Sequence, residues 1–287
     1  MEMVQTNNMA TKENMKPAII TKIEAMDWSG IAANTIKTTL TFILSMALLL
    51  TVWTFVASQT DNFPGPAITW EEAKMLLSDP FYSNGPNDMG IGWNILYSLE
   101  RVGIGFGLAA LIGIPLGFIV GRFTMANMIA SPIISLLRPV SPLAWLPIGL
   151  FVFKAADPSA IWVIFICSIW PMILNTAEGV RNVPKDYLNV ARVLNLSEWK
   201  IATKILFPAT LPHILTGVKL AVSTAWLVII AAEMLTGGIG IGFWVWDEWN
   251  NLKIESIIIA IFIIGIVGVL LEKGIMLLAS KFMYEKD

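Results

Sequence analysis

Long apolar stretches separated by short polar ones set the plan of this 287-residue chain. Residues 38–60, 102–121 and 158–177 each hold twenty or more consecutive positions without Asp, Glu, Lys or Arg. Twenty helical residues rise about 30 Å, the thickness of a bilayer's hydrocarbon core. Followed along the whole chain, the pattern predicts six spans at roughly 36–58, 94–121, 127–153, 159–178, 213–235 and 254–280. The expected fold class is an all-α membrane protein with a transmembrane domain over 36–280, flanked by tails at 1–35 and 281–287. The first apolar run begins near Thr38, behind Lys12, Glu13, Lys16, Lys22, Glu24, Asp27 and Lys37. A cleavable signal peptide carries its apolar core closer to the start, so this run is expected to stay as a span.

Two polar loops interrupt the pattern, at 59–93 and 179–212. In the first, Thr69 and Glu72 have capping-box spacing, and Trp70, Ala73, Leu76 and Leu77 form an apolar face before Pro80. This predicts a short amphipathic helix, resting in the membrane interface or touching a partner. Within the second span, Gly103, Gly107, Gly113, Gly117 and Gly121 present small residues on one face, which lets a neighbouring helix come close.

The second loop contains "NVARVLNLSEWKIATKILFPATLP", residues 189–212, a polar and basic run with helical spacing. Pro184 suits the first position of a helix, and Leu188, Ala191 and Leu194 fall on one face of it. Asn195 tolerates the left-handed conformation that stops helices. Ser197 can cap a second helix through about Phe207, which Pro208 is expected to end. Trp199, Ile201, Ile205 and Leu206 give that helix apolar surface for a partner to grip.

Composition agrees with the membrane pattern. The chain is 56% hydrophobic and 14% charged, against about 25% charged in ordinary soluble domains. With both termini on one side, thirteen of the nineteen Lys and Arg fall on that side, among them Arg122, Arg181, Lys185, Arg192, Lys200 and Lys204. The opposite loops hold Lys74, Lys154 and Lys253, while Arg101, Arg138 and Lys219 lie within spans. The positive-inside rule then puts both termini and the 179–212 loop in the cytoplasm. A net charge of −2, with no basic patch interleaved with aromatics, gives no sign of nucleic-acid binding. Cys167 is the only cysteine and His213 the only histidine, a helix-end residue behind Pro212. Neither a disulfide framework, a metal cluster nor a nucleophile–base pair is expected.

Few residues remain to carry chemistry. Arg138 stands in "LLRPVSPLAWLP", among Pro139, Pro142 and Pro147, which break the helix. Freed backbone inside a membrane is tolerated where it is buried or lines a cavity. An Arg with free N–H groups suits an anion; alternatively Arg138 snorkels to the interface or pairs with a carboxylate. Ser141, Trp145 and Trp226 are further candidates for the pathway, with packing as their other role. Glu233, ahead of Gly237, Gly238, Gly240 and Gly242, is expected to hydrogen-bond the glycine-rich backbone near the outer end of its span. Trp244, Trp246 and Trp249 suggest an interfacial belt or a constriction over the pathway.

The 189–212 loop resembles the "EAA" loop of bacterial ABC-importer permeases. Asn189-Val190-Ala191 stands where the family has a Glu-Ala-Ala-type triplet, Asn195 where it has Gly, and Ile205-Leu206-Phe207-Pro208 at the apolar-Pro end. The likeness runs from about 94 to 280. "SLERVGIGFGLAALIGIPLGFIVG", "LLRPVSPLAWLPIGLFVF" and "AAEMLTGGIGIGFWVWD" are similar to the subfamily importing nitrate, bicarbonate, taurine and alkanesulfonates. "VARVLNLS" together with "GGIGIGFWVWDEWN" looks nearest to cyanobacterial nitrate/nitrite permeases. The resemblance implies a six-helix type I importer permease fold in the bacterial inner membrane. It further implies a permease homodimer, two ATP-binding subunits holding ATP and Mg, and a periplasmic or lipid-anchored solute-binding protein. Asn189, Val190, Ala191, Leu194, Asn195, Trp199 and Pro208 become the expected ATPase-coupling residues. The chain has no G-x-x-x-x-G-K-[ST], so the ATP site is expected in a partner. A stand-alone secondary transporter would need inverted repeats or a row of membrane acids, and a membrane enzyme would need clustered catalytic groups.

Overall fold

The computed structural model describes residues 28–60, 62–85 and 88–280, with the side chains of 28–35, Arg192 and 278–280 left aside. The tails beyond these limits, with Lys12, Lys16, Lys22, Lys281 and Lys286 of the charge argument, lie outside the described residues. The chain divides into a unit ending at Pro66 and a unit from Ala67 onward. The described part of the first carries one long helix, α1 (Trp28–Gln59), of which Ile36–Gln59 is long and apolar enough to cross a membrane. Its Thr41, Ser45, Thr51 and Thr54 hydroxyls each donate to the carbonyl four residues back. That disposes of their polarity inside an apolar segment.

The second unit opens within α2 (Pro66–Ser78), whose first residue closes the unit before it, and continues with a small hairpin, β1 (Ser83–Gly85) with β2 (Asp88–Met89). α2 begins three residues before the expected cap. Pro66 starts it, and Thr69 is buried within it. Thr69, Glu72, Ala73 and Leu76 turn inward, while Trp70 and Leu77 are exposed. The inward set has i, i+3, i+4, i+7 spacing, so one face packs and the two large apolar residues sit beside it.

α3 (Ile91–Arg122), α6 (Ala156–Arg181) and α9 (Phe207–Thr236) form the core. α3 meets α6 through Gly105, Gly113, Gly117 and Gly121, where an added Cβ would stand 2.5–3.1 Å from α6 atoms. Gly103 and Gly107, expected on this face, have nothing within 4 Å. Gly105 takes their place, because it lies eight residues before Gly113 and so on the same side of the helix.

The expected third span is two helices, α4 (Thr124–Leu137) and α5 (Pro142–Phe153), bent by 99°. Pro139 has no N–H to continue α4, Ser141 is extended, and Pro142 opens α5 at its first turn. Among the described residues, counting this pair as one span gives six, and without it five helices are long and apolar enough to cross. α10 (Ile241–Asn250) and α11 (Ile254–Ser280) complete the unit.

Candidate translocation site and coupling surface

Between α6 and α9 the chain forms α7 (Lys185–Val193) and α8 (Glu198–Ile201). Asn195 has φ +47°, the left-handed turn that its side chain allows, and the Ser197 hydroxyl accepts from the Lys200 N–H at 3.4 Å. Both stops were legible in advance. The end at Pro208 was not observed: α8 runs through a π-helical turn, Ala202–Leu206, directly into α9, giving one 39-residue helix. In that turn the Phe207 N–H donates to the Ala202 carbonyl, five residues back. The helix that carries the expected fifth span therefore begins well before residue 213.

This segment is packed as well as exposed. Val180, Val183, Ala191, Ile201 and Leu206 form a buried cluster with Phe118 and Leu188 against it. Ala191, Ile201 and Leu206 were expected at the coupling surface, but they face inward, because that cluster fixes the loop to the ends of α3 and α6. What remains exposed is Tyr187, Val190, Val193, Leu194 and Trp199, the last 77% exposed. Asn189 and Pro208 are exposed too. Arg122 clasps Glu198 with two hydrogen bonds of 3.1 and 3.0 Å, tying α3 to α8.

Arg138 sits at the bend between α4 and α5, its N–H donating to the Ile134 carbonyl at 2.9 Å. Its side chain lines a cavity of about 600 Å³ shared with Trp170, Asn175, Glu178, Arg181 and Thr224. Among the described residues no carboxylate lies within ion-pair distance of Arg138. Ser141 and Trp145 stand at the same bend but not on this cavity; Trp145 packs on the main core cluster. Trp226 is not a lining residue here. It is buried, and its Nε1 donates to the Ile264 carbonyl at 3.0 Å, clamping α9 to α11. A larger cavity, about 690 Å³, is walled by Phe118, Trp199 and Phe207, with the Arg122–Glu198 pair at its edge.

At the opposite end of α9, Glu233 is 1% exposed. Its oxygens accept from Gly242 N–H at 3.0 Å, from the Ser98 hydroxyl at 2.8 and 2.9 Å, and from Arg101 Nη1 at 2.6 Å. The same Arg101 nitrogen reaches the Ile239 carbonyl at 2.6 Å, and Arg101 also pairs with Asp157 at 2.7 Å. Asn94 Oδ1 accepts from Gly240 N–H and Ser98 Oγ from Ile241 N–H. Gly237, Gly238 and Gly240 all have positive φ, and a Cβ on Gly240 would stand 2.3 Å from Glu233 Cδ. Glu233 thus holds the glycine-rich turn and the start of α10, as its position implied. Asn94, Ser98, Arg101 and Asp157 were missed. The signal for the first three was a polar row at i, i+4, i+7 on an apolar helix; Asp157, in the first turn of α6, had none. Trp244, expected at the interface, is buried in the core, whereas Trp246 and Trp249 are exposed.

Residues 113–280 match the family described as the binding-protein-dependent transport system inner membrane component. The nitrate import permease protein NrtB of Synechocystis sp. is 46% identical over 238 residues, 83% of this chain and 86% of that protein. Its counterpart from Leptolyngbya laminosa is 44% identical over 258 residues, 90% and 92% of the two chains. The bicarbonate transport system permease protein CmpB of Synechocystis sp. is 46% identical over 230 residues, 79% and 82%. Among solved structures, an inward facing MetNI methionine ABC transporter aligns with 63% of this chain and 94% of its own, at TM-score 0.49 and 14% identity. With a family match over residues 113–280 and relatives above 40% identity across most of its length, this chain belongs to the binding-protein-dependent transport system inner membrane components.

Proposed function

We propose that the chain is the permease subunit of an ATP-driven importer for a small inorganic anion, nitrate or nitrite before others. The observation that carries this is Arg138, a guanidinium at a helix break on a cavity within the transmembrane domain, with no carboxylate partner among the described residues. Arg138 is exposed in the single chain; an unpaired charge at the centre of a spanning helix costs about 2.5–3.5 kcal/mol on insertion scales, which makes such a group a functional candidate. A passing anion supplies the missing counter-charge. Nitrate is favoured by the two nitrate import permeases at 46% and 44% identity. Bicarbonate is the second reading, favoured by a permease at 46%; alkanesulfonates and taurine come after it, and a stand-alone secondary transporter last.

In this scheme two copies of the chain enclose the pathway and a periplasmic or lipid-anchored binding protein delivers the anion. Two ATP-binding subunits hold ATP and Mg and grip the α7–α8 surface at Val190, Leu194 and Trp199, with Asn189 and Asn195 shaping it and Pro208 behind it. The chain itself is no enzyme and holds no cofactor. Both termini and the α7–α8 segment face the cytoplasm of a bacterial inner membrane. Ser141 and Trp145 flank the entry to the bend, and Gly237 and Gly238 support the outer end.

The test is ATP-dependent uptake into vesicles carrying the chain, its ATP-binding subunits and its binding protein. Saturable uptake of labelled nitrate is expected, cut by Arg138→Ala far more than assembly is. Bicarbonate uptake without nitrate uptake overturns the substrate, and uptake without the ATP-binding subunits overturns the coupling.

A further inference from the structure

The cavity beside Arg138 has a second cation on its wall. Arg181, Glu178 and Asn175 follow one another at the end of α6 and line the same 600 Å³ space that Arg138 lines from the α4–α5 bend. Ion pairs among the described residues engage Lys74, Arg101, Arg122, Lys219 and Lys253, and neither Arg138 nor Arg181. Arg181 is held by a neutral group instead. Its Nη2 donates to Asn127 Oδ1 at 2.5 Å, an oxygen that also accepts from Ser131 Oγ at 3.0 Å. A guanidinium has five N–H donors, so this tether orients the group and leaves most of its donors unused. Glu178 is the acid on the wall, and its Oε1 accepts from Asn182 Nδ2 at 3.1 Å. The larger cavity makes the contrast: its Arg122 is consumed by Glu198, and its walls are otherwise almost wholly apolar.

We propose that Arg138 and Arg181 together form a two-cation station for a small monovalent oxyanion, at the end of the domain that carries α7 and α8. The proposal rests on the anion-importer reading above. Planar guanidinium groups match the edge of a planar oxyanion through paired N–H donors. Arg138 receives the anion within the domain and Arg181 receives it next, nearer the exit. Glu178 beside Arg181 keeps that second site shallow. A conducting pathway needs such sites to be attractive enough to enter and weak enough to leave.

The complete transporter, with its ATP-binding subunits and binding protein, is reconstituted with the ATP-binding side outward, and ATP-driven nitrate transport is measured. Nitrate added on the ATP-binding side should inhibit, by occupying the station from within. Arg181→Gln should raise the inhibitory concentration about tenfold, equivalent to about 1.4 kcal/mol. The KM for nitrate delivered by the binding protein should move far less. Arg181→Lys, which keeps the charge, should recover part of the inhibition, and Asn127→Ala, which only loosens it, should fall between. Normal nitrate transport with unchanged inhibition in Arg181→Gln overturns the station and leaves the importer standing. If Arg181→Gln fails to assemble, unchanged inhibition in both Arg181→Lys and Asn127→Ala overturns it equally. No nitrate transport in the unaltered complex removes the substrate reading on which the station depends.

Discussion

Arg101 and Glu233, 132 residues apart, meet in the protein interior with Nη1 and Oε1 2.6 Å apart. The other Glu233 oxygen accepts from the backbone of α10, so one carboxylate joins α3, α9 and the first turn of α10. An acid at a helix N-terminus also sits favourably in the field of its dipole. Each hydrogen bond Glu233 makes among the described residues is internal, and none of its partners lines the Arg138 cavity. Glu233 is a lock on the helix ends.

Breaking that lock should cost much. Removing one partner of a buried pair costs about 3–5 kcal/mol, and without Glu233 the buried Arg101 keeps only the largely exposed Asp157 as its acid. Glu233→Ala is expected to lose stability on that scale in detergent unfolding. The double variant Arg101→Met with Glu233→Leu should lose clearly less than the single one. Equal losses would mean that the charge is not what the site protects.

The α3–α6 contact gives a sharper contrast. Gly117 has Thr176 Cβ at 2.5 Å from where its own Cβ would be, whereas Gly103 has open space. Gly117→Val should destabilise by at least the 1–3 kcal/mol typical of overpacking, roughly, while Gly103→Val stays near neutral. Thermal unfolding of both in the same detergent decides it. A neutral Gly117→Val would sink the close-approach assignment.

How much was legible beforehand follows from physical range. Spans are set by runs of apolar residues, and each expected stretch falls on helix, although the third is a bent pair and the helix of the fifth starts at Glu198. Caps depend on one residue and its neighbours, and Asn195 and Ser197 behaved as their chemistry dictates. What escaped was decided by contacts between distant segments. Gly105 replaced Gly103 on the packed face because α6 chose the side. Ala191, Ile201 and Leu206 turned inward because the ends of α3 and α6 offered them a cluster. Arg101 and Glu233 each looked anomalous alone, and only the fold brought them together.

That inward cluster changes what a coupling experiment should read. Leu194 and Trp199 are exposed and Ala191 is fully buried. Leu194→Asp and Trp199→Asp should abolish capture of the ATP-binding subunits in pull-down while the permease stays folded. Ala191→Asp should lose both, because burying a carboxylate there disrupts the loop itself. Full capture by Trp199→Asp would move the docking surface elsewhere.

Glu248 of α10 gives a pH signature outside the spans. Burial raises its pKa above the ordinary 4.5, and Lys253 at 3.8 Å offsets only part of that. A carboxyl whose folded pKa is raised holds its proton better when folded. Its contribution is therefore complete below the ordinary value and is lost as pH rises through the raised one. Glu248→Gln should gain stability relative to the unaltered chain in neutral and alkaline buffer, and lose that advantage in acid. A stability difference that does not change with pH would contradict it.

The π turn before α9 has two candidate causes, and they are separable. Pro208 has no N–H and its ring crowds the carbonyl four residues back, a cost of about 3 kcal/mol in a regular helix. Ile201 and Leu206 are both buried, five residues apart, a spacing that a wider turn with i to i+5 bonds puts on one face. Deleting the exposed Thr203 brings these two residues to four apart, which a regular α-helix also places on one face. The packing is then satisfied without the wide turn, but the proline is not. Deletion of Thr203 alone should therefore cost about 3 kcal/mol, and the same deletion with Pro208→Ala should recover most of it. A cross-link between cysteines placed at 122 and 198, made with a bifunctional thiol reagent long enough to replace the Arg122–Glu198 reach, reports whether α8 keeps its register, since those two side chains touch at their tips. It should form in the unaltered background and in the combined variant. If the deletion alone unfolds nothing and keeps the cross-link, Pro208 does not require the π turn. If the combined variant is no better than the deletion, Thr203 itself matters and the packing account fails.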